Sequence, residues 1–213
     1  MDAPLQIYQS LNKPNPQESE PPNCIMPGEL IDSDIRVART LPSNFYTGEE
    51  EFDALKSVFS GWQFAAHKSE LESITIKPLD HIESITGESM VLTKTDEVRC
   101  MSNVCTHRGM RLAISECKKK TLQCAYHGRT FDLEGKFRNM PEFEQATNFP
   151  SERDNLPQFP IEENLGMYFT SQSDCESLPW ASLKARLDFL NIESLKHDPR
   201  RDRDHHISAN WML

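Results

Sequence analysis

The chain has 213 residues and a formal net charge of −10, with 33 Asp and Glu against 23 Lys and Arg. That acidic balance and the lack of a basic stripe argue against a nucleic-acid partner. No apolar run approaches the ~20 residues of a membrane-spanning helix, and Met1-Asp2-Ala3-Pro4 lacks the basic flank and apolar stretch of a secretory signal, so no membrane and a cytoplasmic location are expected.

Residues 1–40 are rich in Pro, Glu, Asn and Ser, and Pro14, Pro16, Pro21 and Pro22 break any helical period, so a flexible arm is expected. Residues 41–60 read as a leading helix. Thr47-Gly48-Glu49-Glu50 fits a capping box, and Phe52, Leu55 and Phe59 recur at helical spacing. From 61 to 172 the pattern changes to short strands at 62–66, 89–93, 98–102, 121–125, 129–132 and 166–170, separated by Gly, Pro and charged turns. That is an all-β domain large enough to bury its own core. Residues 173–213 change again: Leu178, Trp180, Leu183, Leu187, Phe189 and Leu190 predict an amphipathic helix, followed by a charged connector from Lys196 to Arg203.

Within the β region, Cys105-Thr106-His107 is followed after sixteen residues by Cys124-Ala125-Tyr126-His127. Each half offers one thiolate and one imidazole. A Cys₂His₂ zinc site usually takes two sulfurs from one turn and two nitrogens from a helix. Mixed pairs on each loop suit a dinuclear [2Fe–2S] cluster better, with Cys105 and Cys124 on one iron and His107 and His127 on the other; this is the Rieske ligand set. Gly109 and Gly128 sit just past the ligands, where tight loops need dihedrals that other residues resist. Phe131 to Phe137 reads as a hairpin turning at Glu134-Gly135, and Met140-Pro141 supplies a rigid segment to cover the cluster.

The segments Cys105-Thr-His-Arg-Gly-Met-Arg-Leu112 and Cys124-Ala-Tyr-His-Gly-Arg-Thr-Phe-Asp-Leu-Glu-Gly135 resemble the Rieske non-haem iron oxygenases, in the N-terminal part of their alpha subunit. Leu41-Pro-Ser-Asn-Phe-Tyr46, Phe59 to Phe64, Leu156-Pro157 and Leu165 to Phe169 extend the resemblance from about Leu41 to the C-terminus. It implies a mainly β fold: a Rieske β-sandwich preceded by a short helix and followed by the start of an α+β catalytic domain. Arg129 departs from the family, which commonly has Trp after the His-Gly pair, and this bears on the local packing. Respiratory Rieske proteins resemble the site too but carry an interloop disulfide, with Cys where this chain has Met110 and Tyr126. Their absence here favours the oxygenase and ferredoxin branch.

The resemblance further implies electron transfer from an NAD(P)H-dependent reductase or a ferredoxin to a mononuclear Fe(II) that activates O₂, in a homotrimer or higher oligomer. That iron, with its two His and one carboxylate, is expected only in a full-length subunit, beyond the family-like Asn210-Trp211 pair. The chain is therefore read as a truncated oxygenase component lacking the mononuclear site. His197, His205 and His206 read as solvated linker. Around the cluster, Arg108 is placed to tune or dock near the histidine edge, and Tyr126 to donate toward a ligand sulfur. Lys118-Lys119-Lys120 reads as a solvated hairpin tip. Cys24, Cys100, Cys117 and Cys175 read as unpaired thiols. A stand-alone Rieske ferredoxin explains only the core, and a zinc module only the four ligands.

Overall fold

The computed structural model describes residues 32–143, 145–173 and 175–209, with 54–58 in backbone only. Most of the expected arm, including Cys24, and the Asn210-Trp211 pair lie outside the described residues. Two compact units are present, one holding residues 32–57 with 205–209, the other Val58–Asp204.

In the first unit, Asn44–Thr47 (α1) and Glu49–Lys56 (α2) are separate helices. Thr47 does not open a capping box. It ends α1, its hydroxyl donating back to the Ser43 carbonyl at 3.1 Å, while the Gly48 amide donates to Asn44 O at 2.7 Å. Pro42 presets the backbone for a turn, so helix begins earlier than the Thr-x-x-Glu pattern suggests. Glu49, Glu50 and Glu51 fill the first turn of α2, where the helix dipole favours negative charge.

The second unit carries strands β1 Gln63–His67, β2 Ile76–Pro78, β3 Met90–Lys94, β4 Val98–Ser102, β5 Thr121–Gln123, β6 Thr130–Asp132, β7 Phe137–Asn139, β8 Gln158–Phe159, β9 Ile161–Asn164 and β10 Met167–Thr170. They form three antiparallel sheets ordered β1-β10-β9, β2-β3-β4-β8 and β5-β6-β7. The middle sheet is covered on both faces. Side chains alternate along a strand, so Val91 and its cross-strand partner Met101 join Ile76, Leu122, Phe131, Leu133, Leu156, Cys105 and Cys124 in one core. Met90, Leu92 and Cys100 face the other way, onto Ala65, Ala66, Leu71, Leu79 and Ile82. Ile82 belongs to helix α3, Asp80–Thr86.

β4 has the bounds its sequence predicts, and the hairpin at Glu134-Gly135 forms, with Asp132 N–H donating to Lys136 O at 3.0 Å. β5 stops at Gln123, two residues early, because the chain turns at Cys124. The late helix α4 spans Trp180–Leu187 and tightens into a 3₁₀ turn at Asp188–Leu190. Trp180 anchors it: the indole N–H donates to the Glu162 carboxylate on β9, and the ring lies 4.8 Å from that of Phe169 on β10. Among the described residues no helix is long and apolar enough to cross a membrane. Cys100, Cys117 and Cys175 are unpaired, and burial pushes the Cys100 thiol up to about 12, where it stays protonated.

Candidate metal centre

The first ligand loop leaves β4 and the second leaves β5, and both close with one hydrogen-bond pattern. Cys105 N–H donates to Met110 O at 2.8 Å and Gly109 N–H returns to Cys105 O at 3.0 Å; Cys124 N–H donates to Arg129 O at 2.8 Å and Gly128 N–H to Cys124 O at 3.1 Å. The closing glycine is therefore four residues past the cysteine in each loop, with φ of 70° at Gly109 and 72° at Gly128. L-residues avoid that region, which accounts for glycine at both places. His107 lies two residues past its cysteine and His127 three.

Both cysteines are buried at the base, while His107 is half-buried and His127 exposed. The imidazoles meet edge to face, 4.9 Å between centroids. Phe143 packs edge-on against His107 at 5.7 Å. The Tyr126 ring lies over His127 at 3.7 Å, and the residue is 58 % exposed. Pro141 sits against the second loop, its Cγ 3.3 Å from where a Cβ on Gly128 would stand.

Burial pushes the Cys105 thiol up. The His107 backbone amide, donating to the sulfur, opposes this, and the neighbouring Cys124 thiol adds to it. Two buried sulfurs this close cannot both ionise unless cationic charge lies between them. A ferric core would supply that charge, so the pair fits a metal cluster. Desolvation, then the His127, Arg108 and Arg129 charges, push His107 down, favouring the neutral ring that binds metal. Among the described residues no three His, Cys, Asp or Glu side chains converge on a single ion. A dinuclear cluster, which asks two protein ligands of each iron, fits this arrangement better than tetrahedral zinc.

Three neighbours escaped the sequence reading. Asn103, wholly buried, holds the return leg of the first loop through Ala113. Arg111 ties the same leg to α3, pairing with Asp80 at 2.5 Å and with Glu83. Asp154 touches both loops. It pairs with Arg129, whose guanidinium stands 5.1–5.7 Å from the rings of Phe131, Phe137 and Phe149. The departure at Arg129 is thus packed by aromatic faces and neutralised by a carboxylate. Arg108 is exposed beside His107.

The lysine run and the late histidines are solvent-exposed, as expected. The backbone of the lysine run is anchored beside β2: Cys117 bridges Ile76, and the Thr75 hydroxyl binds the Lys119 N–H at 2.9 Å and carbonyl at 2.6 Å. His197 is also hydrogen-bonded, its backbone N–H to the Ser69 hydroxyl and its ring to the Asp202 carboxylate.

Known proteins resemble this chain in sequence and in fold. Residues 61–160 match the Rieske [2Fe–2S] domain, so the chain carries an iron–sulfur domain of the Rieske class. The oxygenase subunit of carnitine monooxygenase from Escherichia coli (strain K12) is 35 % identical over 154 residues, 70 % of this chain and 40 % of that protein. The alpha subunit of chlorobenzene dioxygenase from Cupriavidus sp. (strain PS12) is 35 % identical over 123 residues, 55 % of this chain and 26 % of that one. Among solved structures, the quaternary ammonium Rieske monooxygenase CntA in complex with L-carnitine superposes with a TM-score of 0.64 at 26 % identity, covering 80 % of this chain and 48 % of that one. Over its Rieske domain and the residues flanking it, the chain is similar to the oxygenase (alpha) subunits of Rieske non-haem iron oxygenases. It spans less than half the length of these relatives.

Proposed function

We propose that the chain passes single electrons through a Rieske [2Fe–2S] cluster within an oxygenase alpha subunit, from a reductase or ferredoxin toward a mononuclear non-haem iron. The observation that carries this reading is the pairing of two buried sulfurs at the loop bases with two imidazoles at the rim. Cys105 and Cys124 would hold one iron, His107 and His127 the other. When bound, the group supplies a one-electron couple at roughly −150 to +300 mV, above an all-cysteine cluster. The core around the cysteines keeps water from the sulfur side, and the exposed His127 edge faces partners. Arg108 and Tyr126 border that edge, where they can shape docking and ligand basicity.

In this reading 61–172 is the Rieske domain and 173–213 opens a catalytic domain. The match to carnitine monooxygenase runs over 154 residues, well past a Rieske core alone, which disfavours a stand-alone ferredoxin. The carnitine monooxygenase subunit also matches more of this chain than the aromatic dioxygenase does, 70 % against 55 %, which supports a quaternary amine as substrate class. The cluster is tested by anaerobic reconstitution. Iron and acid-labile sulfide in equal amounts, with an EPR signal on reduction, are expected; zinc without labile sulfide would overturn the reading.

A further inference from the structure

We propose that Arg129 and Asp154 form an ion-pair clamp that ties the two ligand loops together and biases the charge the centre prefers to hold. The proposal rests on the cluster reading above and adds a retention and tuning role for this pair.

Arg129 is the closing residue of the second loop, its carbonyl accepting from Cys124 N–H. Its side chain is only 3 % exposed. A guanidinium that deep must be paired. Three phenylalanine faces stand in for part of its hydration, and the Asp154 carboxylate supplies the opposite charge. Asp154 is itself immobilised: its second carboxylate oxygen accepts from the Ser151 N–H at 2.7 Å and hydroxyl at 2.9 Å.

The same aspartate reaches the other loop. Its backbone carbonyl accepts from the hydroxyl of Thr106 at 2.9 Å, and Thr106 lies between Cys105 and His107. An Arg129 nitrogen also reaches that carbonyl, at 3.3 Å. One residue outside both loops therefore accepts a hydrogen bond from each. No disulfide joins the loops among the described residues, so this polar bridge is a noncovalent link between them. Reduction adds one negative charge to the centre. The buried Arg129 cation favours that charge with little screening, and the half-buried Asp154 carboxylate opposes it. The pair therefore acts on the potential in opposite directions while acting together on closure.

The experiment compares reconstituted parent protein with Arg129→Met, Asp154→Asn, Arg129→Lys and the double Arg129→Met/Asp154→Asn variant. Loss of visible absorbance under a chelator measures retention, and dithionite titration followed by EPR measures the midpoint potential. Both single neutralising variants are expected to lose the cluster about 10–100-fold faster. Their potentials should move apart, down for Arg129→Met and up for Asp154→Asn. Arg129→Lys should stay near the parent potential, and the double variant should return toward it without regaining retention. Shifts of the same sign, or unchanged retention, overturn the clamp. Where Arg129→Met does not fold, Thr106→Val removes the first-loop bond to Asp154: faster loss supports the clamp and parent-like loss overturns it. A parent that assembles no iron and labile sulfide overturns the functional reading itself, a result distinct from a parent that holds the cluster beside indistinguishable variants.

Discussion

The side-chain amide of Asn103 pairs with both backbone groups of Ala113, its Oδ1 accepting from the N–H at 2.8 Å and its Nδ2 donating to the carbonyl at 2.8 Å. The Asn103 backbone is occupied too, its N–H donating to Ser89 O and its carbonyl accepting from Leu112 N–H, each at 2.8 Å. A side chain thus does the work of a strand neighbour at the base of the first ligand loop.

Replacing Asn103 with Leu keeps the number of side-chain heavy atoms and strands the Ala113 N–H and C=O in the core. Each unsatisfied group costs about 1–3 kcal/mol. Urea melts of the variant should show that loss, and iron retention should fall with it. A midpoint equal to that of the parent would contradict the role given to this residue.

Each of the four ligands should be individually required. His127→Ala or Cys105→Ser, reconstituted beside the parent, is expected to yield protein without the reduced-state EPR signal and with iron and acid-labile sulfide both diminished. Circular dichroism should remain β-rich, because cores built from Phe131, Leu92 and Met101 do not depend on metal. Full cluster content in either variant would remove that residue from the ligand set.

Gly128→Ala meets two obstacles, a φ of 72° and a Pro141 Cγ 3.3 Å from the new methyl. The substitution is expected to cost about 1–2 kcal/mol and to weaken cluster retention more than global stability, since the strain falls on a ligand loop. The chelator-challenge rate against the urea midpoint makes that comparison.

The Asp154 carboxyl gives a pH dependence of definite sign. Burial works to raise it, but the Ser151 amide and the Arg129 pair outweigh burial and hold it below its ordinary 3.8. A depressed folded-state value means stability that is full above the unfolded value and lost as pH falls through the folded one. The melting temperature of metal-free parent protein should exceed that of Asp154→Asn at pH 7, and the gap should close only below about pH 4. A gap that vanished between pH 7 and pH 5 would point to another group.

The two Cys-His pairs that the loops bring together and β4 were legible because their information is local: a spacing of Cys and His in one case, a five-residue alternation in the other. Strands β2 and β9 and helix α3 were not, since three to seven residues with Lys, Glu or Pro among them carry too little periodicity to separate from loop. Asn103 reads as any turn-prone polar residue until Ala113, ten positions on, is seen beside it. Asp154 lies 25 residues from Arg129 and 48 from Thr106, so its role exists only once β6, β7 and β8 have folded back. Arg129 was visible as an oddity, and its reason was not.

The matching closures of the two ligand loops have an evolutionary consequence. Main-chain bonds close both bends, so the crest residues Arg108 on one and Ala125 and Tyr126 on the other are not needed to make them. Such positions can drift toward new redox partners while the metal-holding scaffold is inherited unchanged.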